Sequence, residues 1–250
     1  MISVITVCYQ SEKTILETLQ SVFNQKDVDI EHIIIDGMSK DQTFSIIETF
    51  VQTHSNKHVT YVIKQESDKG MYDAINKGLN LATGDYIGLL HSDDTYAHNE
   101  VLKTIEHTFR KQQVDACYGY VDVYQDARLV RKIRNPRFKL GDYQKSQHPA
   151  HPTFYVKKAV VETFGGYDIT YPIASDGEYM FRLLEIHQIS HTLIEDVLIN
   201  MKDGGLSQRG LKSTMQIIKD TKQFMKKHHH RFSVLKYIFF KLKKIREYRI

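Results

Sequence analysis

Two adjacent carboxylates, Asp93 and Asp94, follow the apolar run Tyr86-Ile87-Gly88-Leu89-Leu90-His91-Ser92. The run has the composition of a strand buried on both faces, and an open α/β sheet gathers its ligands where such strands end. Side-by-side aspartates repel unless a cation lies against them, so the pair reads as a metal–diphosphate site. Hard carboxylate oxygens suit Mg²⁺ or Mn²⁺, and Asp94 is the candidate ligand. A second polar cluster, Asp36-Gly37-Met38-Ser39-Lys40-Asp41, follows the apolar residues 32–35, and Tyr9 follows the apolar residues 2–8. Three strand ends thus converge on one crevice. Neither GxGxxG nor GxxxxGK occurs, so the charge of a diphosphate falls to a divalent cation rather than to a cradle of backbone amides. The plainer alternatives are a solvated turn at Asp93-Asp94 and a turn with a helix cap at Asp36 and Asp41.

The elements that must position these groups alternate. Residues 2–8, 32–35, 59–63, 86–90 and 114–123 read as strands. Helices fall between them: one with Ser11 as N-cap and Ile15, Leu19, Val22 and Phe23 on its apolar face, one capped by Asp41, and one over 71–81. Another helix starts near Asn99. Such βαβ alternation predicts an α/β fold with a mostly parallel, Rossmann-like sheet and helices on both faces. On the helix over 71–81, Asp73 and Asn76 are expected to be packing supports rather than ligands.

Composition narrows the function. At 250 residues and 41% hydrophobic the chain can bury a full core. Cys8 and Cys117 lie in apolar runs without metal-ligand spacing, which predicts buried thiols in a reducing compartment. No apolar run approaches the roughly 20 residues that span a bilayer, and the first strand begins without a charged leader, so a cytoplasmic location is expected. The net charge of +4 is uneven: residues 221–250 carry +9, leaving −5 on residues 1–220. An acidic body argues against nucleic acid as a partner. In the tail, Leu235, Ile238, Phe239, Leu242, Ile245 and Tyr248 fall near one helical face while Lys236, Lys243, Lys244 and Arg246 fall elsewhere. This basic amphipathic pattern over 216–250 suits an anionic membrane surface on the inner face of the membrane, or packing on the body or on a second copy.

The series Ile5-Thr6-Val7-Cys8-Tyr9-Gln10, Asp36-Gly37-x-Ser39-x-Asp41-x-Thr43, Glu66-Ser67-Asp68-Lys69-Gly70-Met71-Tyr72-Asp73-Ala74-Ile75-Asn76-Lys77-Gly78, Gly84-Asp85 and Ser92-Asp93-Asp94 resembles the ordered motifs of family 2 glycosyltransferases. His148-Pro149-Ala150-His151-Pro152-Thr153-Phe154, Gly165-Gly166-Tyr167-Asp168, Ser175-Asp176 and Gly204-Gly205-Leu206-Ser207 resemble their acceptor half. The resemblance implies a GT-A fold over 1–215, with a nucleotide-sugar half at 1–110 and an acceptor half at 111–215. It also implies a nucleotide-sugar donor and inversion at the anomeric carbon.

Carried over by residue, the resemblance implies that Asp36 accepts from the nucleobase imide, Tyr9 lines the base pocket and Asp68 faces the nucleotide. Asp93 would meet the ribose or donor sugar, Asp94 the Mn²⁺ or Mg²⁺, and Asp176 would be the base. An inverting transfer needs one carboxylate on the face opposite the leaving group. Glu178 stands close enough in sequence to be the alternative base. A UDP-sugar is favoured because Asp36 suits a uracil imide. His148 and His151 are expected in the acceptor wall, and residues 204–210, with Gly205 and Arg209, as a lid that reaches the diphosphate. With no tryptophan there is no Gln-x-x-Arg-Trp sequence of processive synthases. The expectation is therefore one sugar moved to a hydroxyl of a glycan or lipid-linked acceptor in surface polysaccharide assembly, by a peripheral membrane enzyme that is monomeric or a homo-oligomer. The competing readings are a sugar nucleotidyltransferase, for which Tyr9-Gln10-Ser11-Glu12 lacks the glycine-rich basic loop, and a non-catalytic carbohydrate- or membrane-binding module.

Overall fold

Strand β1 (Ile2–Cys8) is buried at every position, and its residues alternate between two layers. Ile2 and Val4 pack with α1 (Ile15–Phe23) and α4 (Val101–Gln112), whereas Ile5 and Val7 face α3 (Met71–Leu81). β2 (Ile30–Asp36) follows the same parity, with Ile34 against α1 and α2 (Thr43–Thr53) and Ile33 and Ile35 against the α3 layer. Period-two burial on both faces is what a parallel sheet between helical layers requires. The computed structural model describes residues 1–54, 57–204 and 211–243.

The remaining elements are β3 (Val59–Gln65), β4 (Tyr86–Leu89), β5 (Thr95–Tyr96), β6 (Ala116–Gln125), β7 (Arg128–Ile133), β8 (Tyr155–Lys157), α5 (Lys158–Phe164), α6 (Ser175–Phe181), β9 (His191–Lys202), α7 (Leu211–Lys227) and α8 (Val234–Lys243). They form one sheet in the order β3-β2-β1-β4-β8-β6-β9-β5, with β7 paired to β6. β3, β2, β1, β4, β6 and β9 share one direction, and β5, β7 and β8 run against them. The expected mostly parallel sheet is present. The antiparallel strands all follow β4, and of them β7 is joined to its partner β6 by a tight turn, which antiparallel pairing permits.

The five sequence-read strands correspond to β1, β2, β3, β4 and β6, and the helix over 71–81 is α3. Ser11 caps no helix: Thr14 precedes α1, and the Ser11 hydroxyl pairs with Ser92 at 2.9 Å, tying β1's exit to the acidic pair's loop. Asp41 does receive the Thr43 amide at 3.1 Å as α2 begins. Asn76 is a packing support as expected, exchanging two 2.8 Å bonds with the Tyr167 backbone. Gly88 lets Tyr155 lie flat on β4, since a Cβ there would come 2.0 Å from the ring. The 215/216 boundary expected from charge falls inside α7, whose Phe224 and Met225 belong to the main core. Charge changes along the chain there, but packing does not.

Candidate functional site

The exits of β1 and β4 open onto a crevice of about 500 Å³ lined by Tyr9, Gln10, Ser11, Asp41, Ser92, Asp93, Lys202 and Asp203, among others. Tyr9 and Asp93 therefore share one cavity, as the convergence of strand ends requires. A larger cavity of about 760 Å³ lies behind α3 and α5. Its polar groups are already engaged: Arg182 with Glu178 and the carbonyls of Phe164 and Gly166, Lys227 with Asp168, Asn76 with Tyr167. The smaller crevice, at the strand ends, is the one suited to chemistry.

Asp36 does not face that crevice. It shares strand parity with Ile34 and is fully buried, accepting from Ser39 N–H (3.0 Å), the Ser39 hydroxyl (2.5 Å), Gln65 Nε2 (2.9 Å) and, weakly, the Cys8 thiol (3.6 Å). Three firm donors, and a thiol proton that the Ile35 carbonyl shares, take up most of its lone pairs, which leaves little acceptor capacity for the imide contact expected of Asp36 in this conformation. Asp68 stands closer to that task. Its Oδ2 lies 2.6 Å from where a Gly37 Cβ would be, with the Tyr9 ring 3.5 Å from the same point. Gly37 is thus the floor on which Asp68 and Tyr9 meet, and its lack of a side chain makes room for the carboxylate.

Asp93 is exposed in the crevice while Asp94 is only 2% exposed. Pairing of β5 with β9 brings Lys202 alongside, and its N–H reaches Asp94 Oδ1 at 3.3 Å. Among the described residues this is its one side-chain hydrogen bond, and one long bond is poor compensation for a buried carboxylate. Burial first, and then the charge of Asp93, hold the Asp94 carboxyl well above the ordinary carboxylate range. A cation would reverse both effects, so the donor chemistry fits a divalent ion. Among the described residues no group of three or more His, Cys, Asp or Glu forms a cage, so most of the ion's ligands would be water or substrate oxygens.

Asp176, near the start of α6, is half-buried. Its Oδ1 accepts from Gly177 N–H at 2.8 Å and from the Tyr72 hydroxyl at 3.2 Å. Burial raises its carboxyl above the usual value, opposed by the Gly177 amide, His148, Tyr72 and His91. Burial lowers the His91 imidazole, and the charges of Asp93 and Asp176 both oppose that shift, so one imidazole senses carboxylates of both loops. Glu178 is engaged elsewhere: two residues on, it turns to another face of α6 and is 1% exposed, bound by Arg182 Nε at 3.0 Å and His228 at 3.3 Å.

His148 stacks on Tyr143 with centroids 5.3 Å apart and donates to the Pro149 carbonyl at 2.9 Å. His151 pairs with the Tyr167 hydroxyl at 2.9 Å, and its ring lies 6.1 Å from His91. Burial lowers the His151 imidazole to about 3. The two histidines are held by separate partners, and of the two it is His148 whose charge bears on Asp176. Sequence reasoning missed Tyr72 and His91; their position next to a motif carboxylate was the available signal. Gly205 and Arg209 lie outside the described residues, where the lid was expected.

Residues 3–164 match the profile described as glycosyl transferase family 2. A PGL/p-HBAD biosynthesis glycosyltransferase of Mycobacterium bovis is 25% identical over 195 residues, 76% of this chain and 72% of the relative. Among solved structures, S. aureus TarS in complex with UDP-GlcNAc superposes with a TM-score of 0.72 at 18% identity, covering 89% of this chain and 65% of that one. A mannosyltransferase from Pyrobaculum calidifontis, in complex with GDP-Man and Mn²⁺, gives a TM-score of 0.65 at 18% identity, over 93% of this chain and 65% of that chain. This chain thus spans just under two thirds of the length of either solved protein.

Proposed function

The chain belongs to the family 2 glycosyltransferases, and on that premise we propose that it transfers one sugar, with inversion, from a nucleoside-diphosphate sugar to a hydroxyl of a glycan or lipid-linked acceptor in polysaccharide assembly. The reading is carried by Asp176: the Tyr72 hydroxyl and the Gly177 amide both bond Oδ1, no other described residue is seen to donate to Oδ2, and His91 lies near enough to feel the charges of both Asp176 and Asp93.

Tyr9 stacks on the base and Asp68 accepts from its imide, with Asp36 bracing the loop from beneath through Ser39. Uracil remains the favoured base because an acceptor carboxylate suits an N–H flanked by carbonyls. Asp93 holds the ribose or donor sugar. A divalent cation, Mn²⁺ or Mg²⁺, held through Asp94 would offset the charge of the departing diphosphate. Asp176 Oδ2 takes the proton from the acceptor hydroxyl as its oxygen bonds to C1, while the C1–O bond to phosphate breaks with its electron pair leaving on the nucleotide. Burial supports this role, since a carboxyl raised toward the working pH is a better proton acceptor. His148 and His151 line the acceptor side.

Titration calorimetry with UDP, GDP and dTDP, each with and without Mn²⁺, tests the donor side; a chain that binds none of them in a metal-dependent way is not this enzyme. No helix among the described residues is long and apolar enough to cross a membrane. The acceptor is met at a membrane surface through α8, which buries Tyr237 against the body near Ser146 and leaves Leu235, Ile238 and Phe239 exposed in a strongly basic tail. Each basic residue near anionic lipid adds about 1 kcal/mol. Co-sedimentation with phosphatidylserine vesicles should fail for Leu235→Asp/Phe239→Asp, and undiminished binding would remove α8 from the proposal.

A further inference from the structure

The Tyr72 hydroxyl belongs to α3, in the nucleotide half, yet it reaches the acceptor half. It lies 2.7 Å from the Ile173 carbonyl oxygen and 3.2 Å from Asp176 Oδ1. One proton therefore serves two acceptors at the start of α6. The ring is 6% exposed and stacks on Tyr167 with centroids 5.9 Å apart, and Tyr167 stacks in turn on Tyr179 of α6 at 4.3 Å. The ring is held by aromatic packing, so removing the hydroxyl alone leaves that packing in place.

We propose that Tyr72 is a positioning residue for Asp176: together with the Gly177 amide it claims Oδ1, which leaves Oδ2 as the oxygen presented to the acceptor hydroxyl. The inference rests on the reading of Asp176 as the base. Two bonds on one oxygen fix the plane of a carboxylate that a freely rotating side chain would not hold, and a base acts only within hydrogen-bond reach of the proton it takes. An ionised carboxylate is the stronger acceptor, so the Tyr72 proton turns to Asp176 in the resting enzyme. Once the acceptor proton sits on Oδ2, Asp176 is a neutral acid and the nearer Ile173 carbonyl takes the Tyr72 proton back. Asp68 and Gly70 lie four and two residues before Tyr72, so the segment that stands over Gly37 is continuous with the one that holds the base.

The other titratable groups that face Asp176 are His91 after β4, Tyr143, His148, Tyr167 and Tyr237 of α8. Asp220 of α7 lies near the Tyr72 hydroxyl. None of these changes in Tyr72→Phe, so a change in the titration of Asp176 reports the lost hydroxyl.

The test uses the full chain with ¹³C-labelled aspartate side chains, the Asp176 carboxyl being identified as the resonance missing from Asp176→Asn. Tyr72→Phe removes a donor to the ionised form, so that resonance should titrate at higher pH than in the wild type, with the thermal midpoint little changed. An unmoved titration overturns the proposal. Hydrolysis of UDP-glucose, UDP-GlcNAc and GDP-mannose, with water in place of the acceptor, supplies the second readout. With the sugar nucleotide that the wild type cleaves, Tyr72→Phe should lower kcat about tenfold at unchanged KM and move the acidic limb of the profile upward. If Asp176→Asn hydrolyses at the wild-type rate, the base reading has failed and takes the proposal with it. If Asp176→Asn is inactive while Tyr72→Phe keeps the wild-type kcat and profile, Tyr72 alone has failed.

Discussion

At the strand ends of the first 110 residues, carboxylates are met by backbone amides and hydroxyls. Asp36 takes the Ser39 amide and hydroxyl and the Gln65 side-chain amide, Asp41 takes Thr43 and Glu12, and Asp68 takes the Gly70 amide. At the start of α6, Asp176 has one amide and one shared phenol in a surround of aromatic rings and imidazoles. The first environment uses negative charge to shape loops; the second withholds donors so that a carboxylate keeps a lone pair and a raised affinity for protons. Asp94 breaks the pattern of its own half, being buried with one 3.3 Å donor and an acidic neighbour. That shortfall is what a cation would make good. The contrast teaches that solvation, rather than residue type, separates the carboxylates that brace these loops from the two proposed to act in the site.

The strongest way to break the comparison is Asp176→Asn. Loss of a positioned base should cost 10²–10⁴-fold in kcat while leaving nucleotide affinity intact by calorimetry; retained turnover would mean the aromatic environment marks no base. Next, Asp94→Asn should weaken Mn²⁺-dependent UDP binding by about 10–100-fold, the scale on which altered metal sites lose affinity, and an unchanged metal dependence would return Asp94 to a structural role. Tyr9→Ala should lower nucleotide affinity by about tenfold, as loss of one base–aromatic stack costs 1–3 kcal/mol.

Two pH effects sharpen the contrast further. Because Asp176 must be ionised to act and burial raises its carboxyl, kcat should fall as pH drops through a value above the usual carboxylate range of about 4. A flat profile through that range would deny it a proton-accepting role. The smallest effect is on stability. With the folded Asp94 carboxyl raised above its unfolded value, its ionisation weakens the fold, so the penalty is absent at low pH and grows as pH rises through the folded value. Without divalent ions, Asp94→Asn should therefore melt a few degrees higher at neutral pH, with the gain shrinking on acidification; a calorimetric scan that shows a loss would place the carboxylate in better company than its single bond suggests.

Much of the scaffold that carries this contrast was legible in the sequence. Strands β1 to β4 and helix α3 could be read because fully buried strands and amphipathic helices each repeat a local period. The second half was opaque for the converse reason: β5, β7 and β8 are two to six residues long and antiparallel, and β5 and β8 are stabilised by partners distant in sequence, β7 alone pairing with the strand before it. Asp36 shows how a legible motif can mislead. Its position at a strand end was right, but parity with Ile34 turned its side chain into the α1 and α2 layer.

Sequence alone determined the alternation of elements and the gathering of carboxylates at strand exits, since both follow from the spacing of apolar residues along a few turns of chain. Only the tertiary structure decided which carboxylate is saturated, which is buried with too few donors and which keeps an oxygen free. It also brought Tyr72 to Asp176 across 104 residues. The physical reason is that solvation and hydrogen-bond supply depend on neighbours contributed by remote segments, and no local period records them.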